Sequence, residues 1–166
     1  MKYYAVVPDR EVPTKLRLAA WELCDDLSEL LGLPVVVEFV RETSSATRAK
    51  YTYPVPLLAG VQPARSVIFI RADIPWDAAQ LEQTVCHEFG HLAIARLGRE
   101  QSEQRADLLG EYLARQLWRF RLAKLRALRK RLLARVRRAQ DSGRRRFVPA
   151  WAKHRPTIEF RTMEGR

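Results

Sequence analysis

One stretch of this chain, HEFGH at residues 87–91, decides how the rest of the sequence is interpreted. The apolar residues around it recur at helical spacing, which predicts a helix over about residues 78–97. Asp77 with Gln80 three residues later resembles a capping box at the start of that helix. Because residues four apart in a helix share one face, His87 and His91 are predicted to project toward one point.

Two imidazoles on one face of a helix are the arrangement that binding a single metal ion requires. Glu88 lies between them, where its carboxylate can take a proton from a water held at that ion. Two of the three histidines in the chain fall in this pattern. The alternative is a surface helix whose histidines are spaced by four by chance. The pattern favours a zinc (Zn2+) site with His87 and His91 as ligands and Glu88 as catalytic base.

A catalytic zinc ion takes a third protein ligand and keeps a fourth position open. No histidine stands six residues after the second one, so the third ligand is predicted to be a carboxylate of the next helix. The candidates are Glu100, Glu103 and Glu111. Glu103 is preferred because Asp107 lies one helical turn further on, where it can accept the outer N–H of a ligand histidine.

Small residues predict a close approach of these two helices. Gly90 lies in the first helix, and Ala106, Gly110 and Ala114 form a stripe at spacing four in the second. Glycine inside a helix costs roughly 1 kcal/mol relative to alanine, so its presence suggests a packing reason. The alternative is that these glycines are merely tolerated.

HEFGH at residues 87–91, followed by EQRADLLG at residues 103–110, resembles the glutamate zincins and, more narrowly, the ImmA/IrrE-type minimal metallopeptidases of bacteria, phages and mobile elements. Leu109 and Gly110 stand where that family usually has Phe and Ala. The resemblance covers about residues 14–115. It implies His87, His91 and Glu103 as zinc ligands, Glu88 as base and a protein substrate, which in many members is a helix-turn-helix repressor.

The flanking segments predict an α+β fold, and the resemblance implies that it is zincin-like, with a small twisted mixed sheet. We expect an N-terminal helix over about Thr14–Leu31, strands over residues 34–40 and 66–71, and between them a loop with at least one irregular strand pair. The active-site helix and a glutamate helix follow, then a long basic C-terminal helix, ended by Gly143 and Pro149, and a tail. The strand Val67–Phe69 is expected at the sheet edge, where a substrate peptide could add as a further strand.

The charge of the chain is unevenly distributed. Its 166 residues carry a net charge of +11, with −4 over residues 1–111 and +15 over residues 112–166. We therefore predict a metallopeptidase domain over residues 1–114 and a basic helical extension with an irregular tail over residues 115–166. With 47% hydrophobic residues the chain can bury a core, and no apolar run is long enough for a membrane span.

The segment Arg115–Arg146 holds fourteen basic residues and one acid, Asp141, with leucines recurring among them. This pattern predicts an amphipathic helix with a basic face. Three interpretations stay open: a solvated charged face, sequence-neutral contact with a nucleic-acid backbone, or contact with an acidic membrane surface or partner helix. No base-reading motif is present.

Two further groups of residues complete the predictions. Cys24 and Cys86 are expected to be buried thiols in a reducing cytosol, hence a cytoplasmic protein. Tyr112 and His154 are candidates for stabilising an oxyanion, although a structural role is the simpler interpretation of each. The favoured function is a zinc peptidase acting on a protein partner. The alternative is a nucleic-acid- or protein-binding module on a non-catalytic zincin scaffold, which the intact Glu88 disfavours.

Overall fold

A computed structural model describes the backbone of residues 1–44, 46–53 and 57–146, with side chains as far as residue 141. The chain divides into two compact units, Met1–Leu122 and Ala123–Arg166. The described residues form an α+β fold with three α-helices and a five-stranded mixed sheet. The helices are α1 (Thr14–Leu31), α2 (Ala78–Arg96) and α3 (Glu103–Arg146); the strands are β1 (Lys2–Val6), β2 (Val36–Thr43), β3 (Tyr51–Tyr53), β4 (Ala59–Gln62) and β5 (Val67–Arg71).

The sheet has the strand order β3-β1-β2-β5-β4. Strands β2 and β5 run parallel, and the other neighbouring strands are antiparallel. The prediction that Val67–Phe69 forms the sheet edge is therefore wrong, because β5 lies between β2 and β4. Next to β5 the sheet ends at the edge strand β4, whose residues Ala59–Gln62 pair with Ile70–Val67, and the opposite edge strand is β3. Because β4 contains Gly60 and lies near several prolines, its sequence is typical of a loop.

Two other features of the sheet differ from the sequence prediction. The N-terminal strand β1 was not predicted, yet it pairs with both β2 and β3 in the described part of the chain. The loop before β5 does contain two strands, but they do not pair with each other: β3 joins β1 and β4 joins β5. Strand partners this far apart in sequence are chosen by tertiary packing, which a local pattern does not record.

The helices follow the predicted pattern closely. Helix α1 has the predicted bounds, and Asp77 caps α2 by accepting a hydrogen bond from the backbone N–H of Gln80 at 2.7 Å. The glutamate helix and the basic helix are a single element, α3. Gly143 does not end it, because the helix continues to Arg146. The predicted irregular tail after the basic helix lies outside the described residues, which end at residue 146.

The main core of the first unit lies between the sheet and the helices. Its fully buried members come from both layers and include Leu27, Phe39, Ile68, Ile70, Val85 and Leu113. Because side chains alternate along a strand, Phe69 points to the opposite face, where Tyr4, Val40 and Tyr51 surround it. Cys24 and Cys86 are both buried free thiols, as predicted.

A partly buried ion-pair group joins the three helices in the first unit. Arg121 of α3 donates from Nε to Asp26 of α1 at 2.7 Å and from an Nη to Glu82 of α2 at 3.4 Å. Asp26 is buried, so its charge needs such a partner. The group fixes the first part of α3 against the other two helices.

None of the helices in the described ranges combines the length and the hydropathy that crossing a bilayer requires.

Candidate metal centre

Helix α2 presents both histidines of the HEFGH stretch on one face, as the spacing predicted. The Nε2 atoms of His87 and His91 lie 3.1 Å apart, and the two rings meet at an interplanar angle of 81°. Both side chains are partly buried against α3. The helix has this position because its apolar face, with Val85, Phe89 and Leu92, is fully buried in the core.

Glu103, the first residue of α3, brings a carboxylate to the two imidazoles. Its Oε2 lies 3.2 Å from Nε2 of His87 and 3.3 Å from Nε2 of His91. Within the described residues, these three side chains are the group of His, Cys, Asp or Glu residues whose ligand atoms come close enough to hold one metal ion. Glu100 and Glu111, the other candidates, are not in that group, and Glu111 instead pairs with Arg115.

Asp107 orients the first histidine. Its Oδ1 lies 2.8 Å from Nδ1 of His87. A carboxylate accepts hydrogen bonds and does not donate them, so Nδ1 carries the proton. In the neutral ring the lone pair is then on Nε2, which faces the cluster. The structure thus places Asp107 in the contact predicted for it.

Gln101, which was not predicted as a site residue, orients the second histidine. Its side-chain nitrogen donates to the carbonyl oxygen of His91 at 3.1 Å, which fixes the direction of the amide. Its Oε1 then accepts from Nδ1 of His91 at 2.9 Å. Gln101 lies in the connection between α2 and α3, where no helical periodicity points to it. Only the path of that connection brings it to the histidine.

These contacts leave three acceptor atoms facing one another. With both Nδ1 atoms protonated, each Nε2 presents a lone pair, and Oε2 of Glu103 is a third acceptor. Three acceptors at 3.1–3.3 Å repel unless a cation or a proton lies between them. The ligand atoms of a tetrahedral metal ion with bonds of about 2.0–2.1 Å stand about 3.3 Å apart. The three atoms and their spacing therefore fit one bound metal ion.

Glu88 is a buried carboxylate directly beside this cluster. Its side chain is on α2 between the two histidines, and the residue is only 8% exposed. Burial raises the pKa of Glu88 to about 7, with Glu103 adding to the rise and the two histidines opposing it. A carboxyl group with a pKa near neutrality can both accept and release a proton under ordinary conditions.

Glycines allow the close approach of α2 and α3, as the small-residue stripe predicted. A Cβ atom on Gly90 would lie 2.7 Å from the backbone oxygen of Ala106. A Cβ atom on Gly110 would lie 3.0 Å from the Cα and N atoms of His87. Any larger residue would push the helices apart, and Glu103 would then lose contact with the histidines.

A cavity of about 430 Å3 opens in front of the cluster. Its walls include His87, Glu88, His91 and Glu103 on one side and the edge strand β4 on the other. Tyr53, which was not predicted as a site residue, also lines the cavity. Burial, and secondarily the nearby Glu88 carboxylate, raises the pKa of Tyr53, so its hydroxyl keeps its proton.

Of the two residues suggested for oxyanion stabilisation, Tyr112 is not brought to this cavity. Tyr112 is an exposed residue of α3 and is not part of the cavity wall. His154 lies outside the described residues. The position of Tyr53 depends on β3 pairing with β1, a contact between residues about fifty positions apart, so no local signal reveals it.

Comparison with known protein families, with curated proteins and with solved structures finds no significant match to this chain.

Proposed function

We propose that the protein is a zinc-dependent metallopeptidase of the glutamate zincin type that hydrolyses a peptide bond in a protein partner. The observation that carries the proposal is the convergence of three acceptor atoms from His87, His91 and Glu103 beside the buried carboxylate of Glu88. The resemblance of the two motifs to the ImmA/IrrE-type metallopeptidases supports it further, and makes a helix-turn-helix repressor the candidate substrate.

In the proposed site His87, His91 and Glu103 hold the ion, with Asp107 and Gln101 fixing the two rings. Zinc supplies a Lewis acid that polarises a carbonyl group and lowers the pKa of a water molecule. The open side of the cluster faces the cavity, so substrate and water reach it from there. Catalytic zinc sites differ from structural ones in having such an open position.

Glu88 is the proposed general base and acid. Its carboxylate takes a proton from the water whose oxygen bonds to the scissile carbonyl carbon. The same proton is then delivered to the amide nitrogen as the carbon–nitrogen bond breaks, giving a carboxylic acid and an amine. Burial of Glu88 favours its protonated form, which helps the carboxylate to take up the proton from water.

Two further parts of the cavity have proposed roles. The hydroxyl of Tyr53 is a protonated donor on the cavity wall and is our candidate for stabilising the negative charge on the carbonyl oxygen. The edge strand β4 pairs on one side with β5 and forms part of the same wall. An extended substrate could pair with its other side through main-chain hydrogen bonds.

The test is a comparison of the wild type with the variant Glu88→Gln, both purified and loaded with zinc. Metal analysis should give near-stoichiometric zinc for both, because Glu88 is not a ligand. Each protein is then incubated with a proteome extract of its host, and new peptide N-termini are identified by terminal labelling. We expect new N-termini with the wild type and none with Glu88→Gln. New N-termini from both proteins, or zinc bound by neither, would contradict the proposal.

The non-catalytic alternative predicts a different pair of results. A binding module on this scaffold would hold zinc and yield no new N-termini, and it would capture its partner equally well with or without Glu88. The buried position of Glu88 argues against this alternative, because burying a carboxylate that has no catalytic role would only destabilise the fold.

A further inference from the structure

The described part of the second unit is a helical segment with an unusual surface. Between Ala123 and Asp141 it holds eight Lys and Arg residues and one Asp, a net charge of +7. Nearly every side chain in this range is exposed, including all its leucines and its valine. Leu125, Leu128, Leu132, Leu133 and Val136 are 49–63% exposed. A basic helix that is surrounded by water is not stabilised by exposed leucines, so these apolar side chains indicate a surface that binds a partner.

The apolar residues form one narrow stripe. At about 100° per residue, Leu125, Leu128, Leu132 and Val136 fall within an arc of about 80°, and Leu133 lies beside it. Arginines border the stripe on both sides, Arg129 along one edge and Arg135 along the other. The opposite side of the helix carries alanines and further basic residues. The segment therefore presents an apolar strip between two rows of positive charge.

We propose that this stripe docks on the surface of an acidic lipid bilayer, with the leucines in the acyl boundary and the arginines at the anionic head groups. Such a surface offers apolar contact and negative charge in one plane, which matches a basic amphipathic helix lying parallel to it. Anionic lipids attract nearby Lys and Arg residues, and long arginine side chains reach the head groups while their stems cover apolar surface.

Other partners match this surface less well. A nucleic-acid backbone would engage the charges but leave the leucine stripe in water. A second copy would bring two segments of net charge +7 together. A coiled-coil partner needs apolar residues at every a and d position of the heptad repeat. If Leu125 is placed at an a position, Arg135 falls at a d position. If Leu125 is placed at a d position, Arg129 falls at an a position, so the apolar seam is interrupted in both cases.

The experiment measures binding of the full-length protein to lipid vesicles by flotation. Vesicles of phosphatidylcholine alone are compared with vesicles containing about 30% phosphatidylglycerol, at about 0.1 M salt. We expect at least ~10-fold stronger binding to the acidic vesicles, weakened by added salt. The variant Glu88→Gln should bind as the wild type does, so the result is independent of the proposed peptidase activity.

Two double variants separate the stripe from the charge. Leu128→Gln with Leu132→Gln removes apolar contact and should lower vesicle binding by ~10-fold or more. Ala123→Gln with Ala127→Gln makes the same kind of change on the opposite side of the helix and should leave binding unchanged. Circular dichroism checks that both variants keep their helix content, which is expected because glutamine is a good helix former.

Several outcomes would overturn the proposal. Equal binding to both kinds of vesicle would show that the positive charge has no role. Equal loss of binding in both double variants would show that the leucine stripe has no specific role. No vesicle binding, together with binding to a short DNA duplex that the leucine variant retains, would assign the surface to nucleic acid. If the protein does not bind vesicles but sediments as a dimer, and the leucine variant sediments as a monomer, the stripe would be an interface with a second copy of the chain.

Discussion

The two parts of α3 show how one secondary structure can be built from two kinds of sequence. From Glu103 to Leu122 the helix buries Ala106, Leu113 and Leu117 and carries the acidic residues of the candidate site. From Ala123 to Asp141 its leucines are about half exposed and its charge is strongly positive. Helical periodicity is present in both parts. Periodicity therefore predicts the helix, while tertiary packing determines whether its apolar face is buried in a core.

The largest expected difference concerns metal binding, to which the first part of α3 contributes the proposed ligand Glu103. Glu103→Ala removes one of three proposed ligands and should lower zinc affinity by more than ~100-fold, beyond the 10–100-fold typical for an outer contact. Glu111→Ala, a carboxylate of the same helix that pairs only with exposed Arg115 among the contacts described, should leave zinc affinity unchanged. Competition with a zinc chelator measures both constants. Equal affinities for the two variants would show that α3 contributes no ligand at Glu103.

The next difference concerns stability. Leu113 is 1% exposed and Leu128 is 52% exposed, and both lie on α3. Leu113→Ala should lower the free energy of unfolding by about 3 kcal/mol, since it leaves a cavity in the core. Leu128→Ala should change it by less than ~0.5 kcal/mol, as surface substitutions do. Urea unfolding followed by circular dichroism compares them, and similar losses would mean that both leucines are buried.

The smallest difference concerns the contacts that orient the histidines. Asp107→Ala removes the acceptor for Nδ1 of His87 and should weaken zinc binding by about 10-fold, at the lower end for such contacts because its side chain is well exposed. Asp141→Ala changes the same type of residue in the other part of the helix and should have no effect. Competition with a zinc chelator again measures the zinc affinity of both variants. An unchanged affinity for Asp107→Ala would mean that Gln101 and backbone packing suffice to hold the rings.

Much of the site could be predicted because it is local in sequence. The motif residues His87, Glu88 and His91 are close together in one helix, α2, so their relative positions follow from helix geometry alone. Glu103 and Asp107 are also one turn apart, and the glycines that let the two helices meet are visible as a small-residue stripe. The bounds of α1 and α2 followed from apolar periodicity and from the cap at Asp77.

The parts that could not be predicted depend on contacts between distant residues. Strand β1 was missed because a short N-terminal run acquires its structure from its partners β2 and β3. The edge strand was misplaced because β4 is short and contains Gly60, whose missing side chain is required by the ring of Phe69 beneath it. Gln101 and Tyr53 reach the cavity through a connection and a strand pairing that have no periodic signal.

The sequence by itself determined the histidine pair, the acidic residues one turn apart on the next helix, and the basic amphipathic segment, because each follows from the repeat of a single helix. Only the tertiary structure decided that Glu103 meets both histidines, that β4 and not β5 borders the cavity, and that the leucines after Leu122 stay exposed. These properties depend on which faces bury one another, and burial is a property of the packed chain.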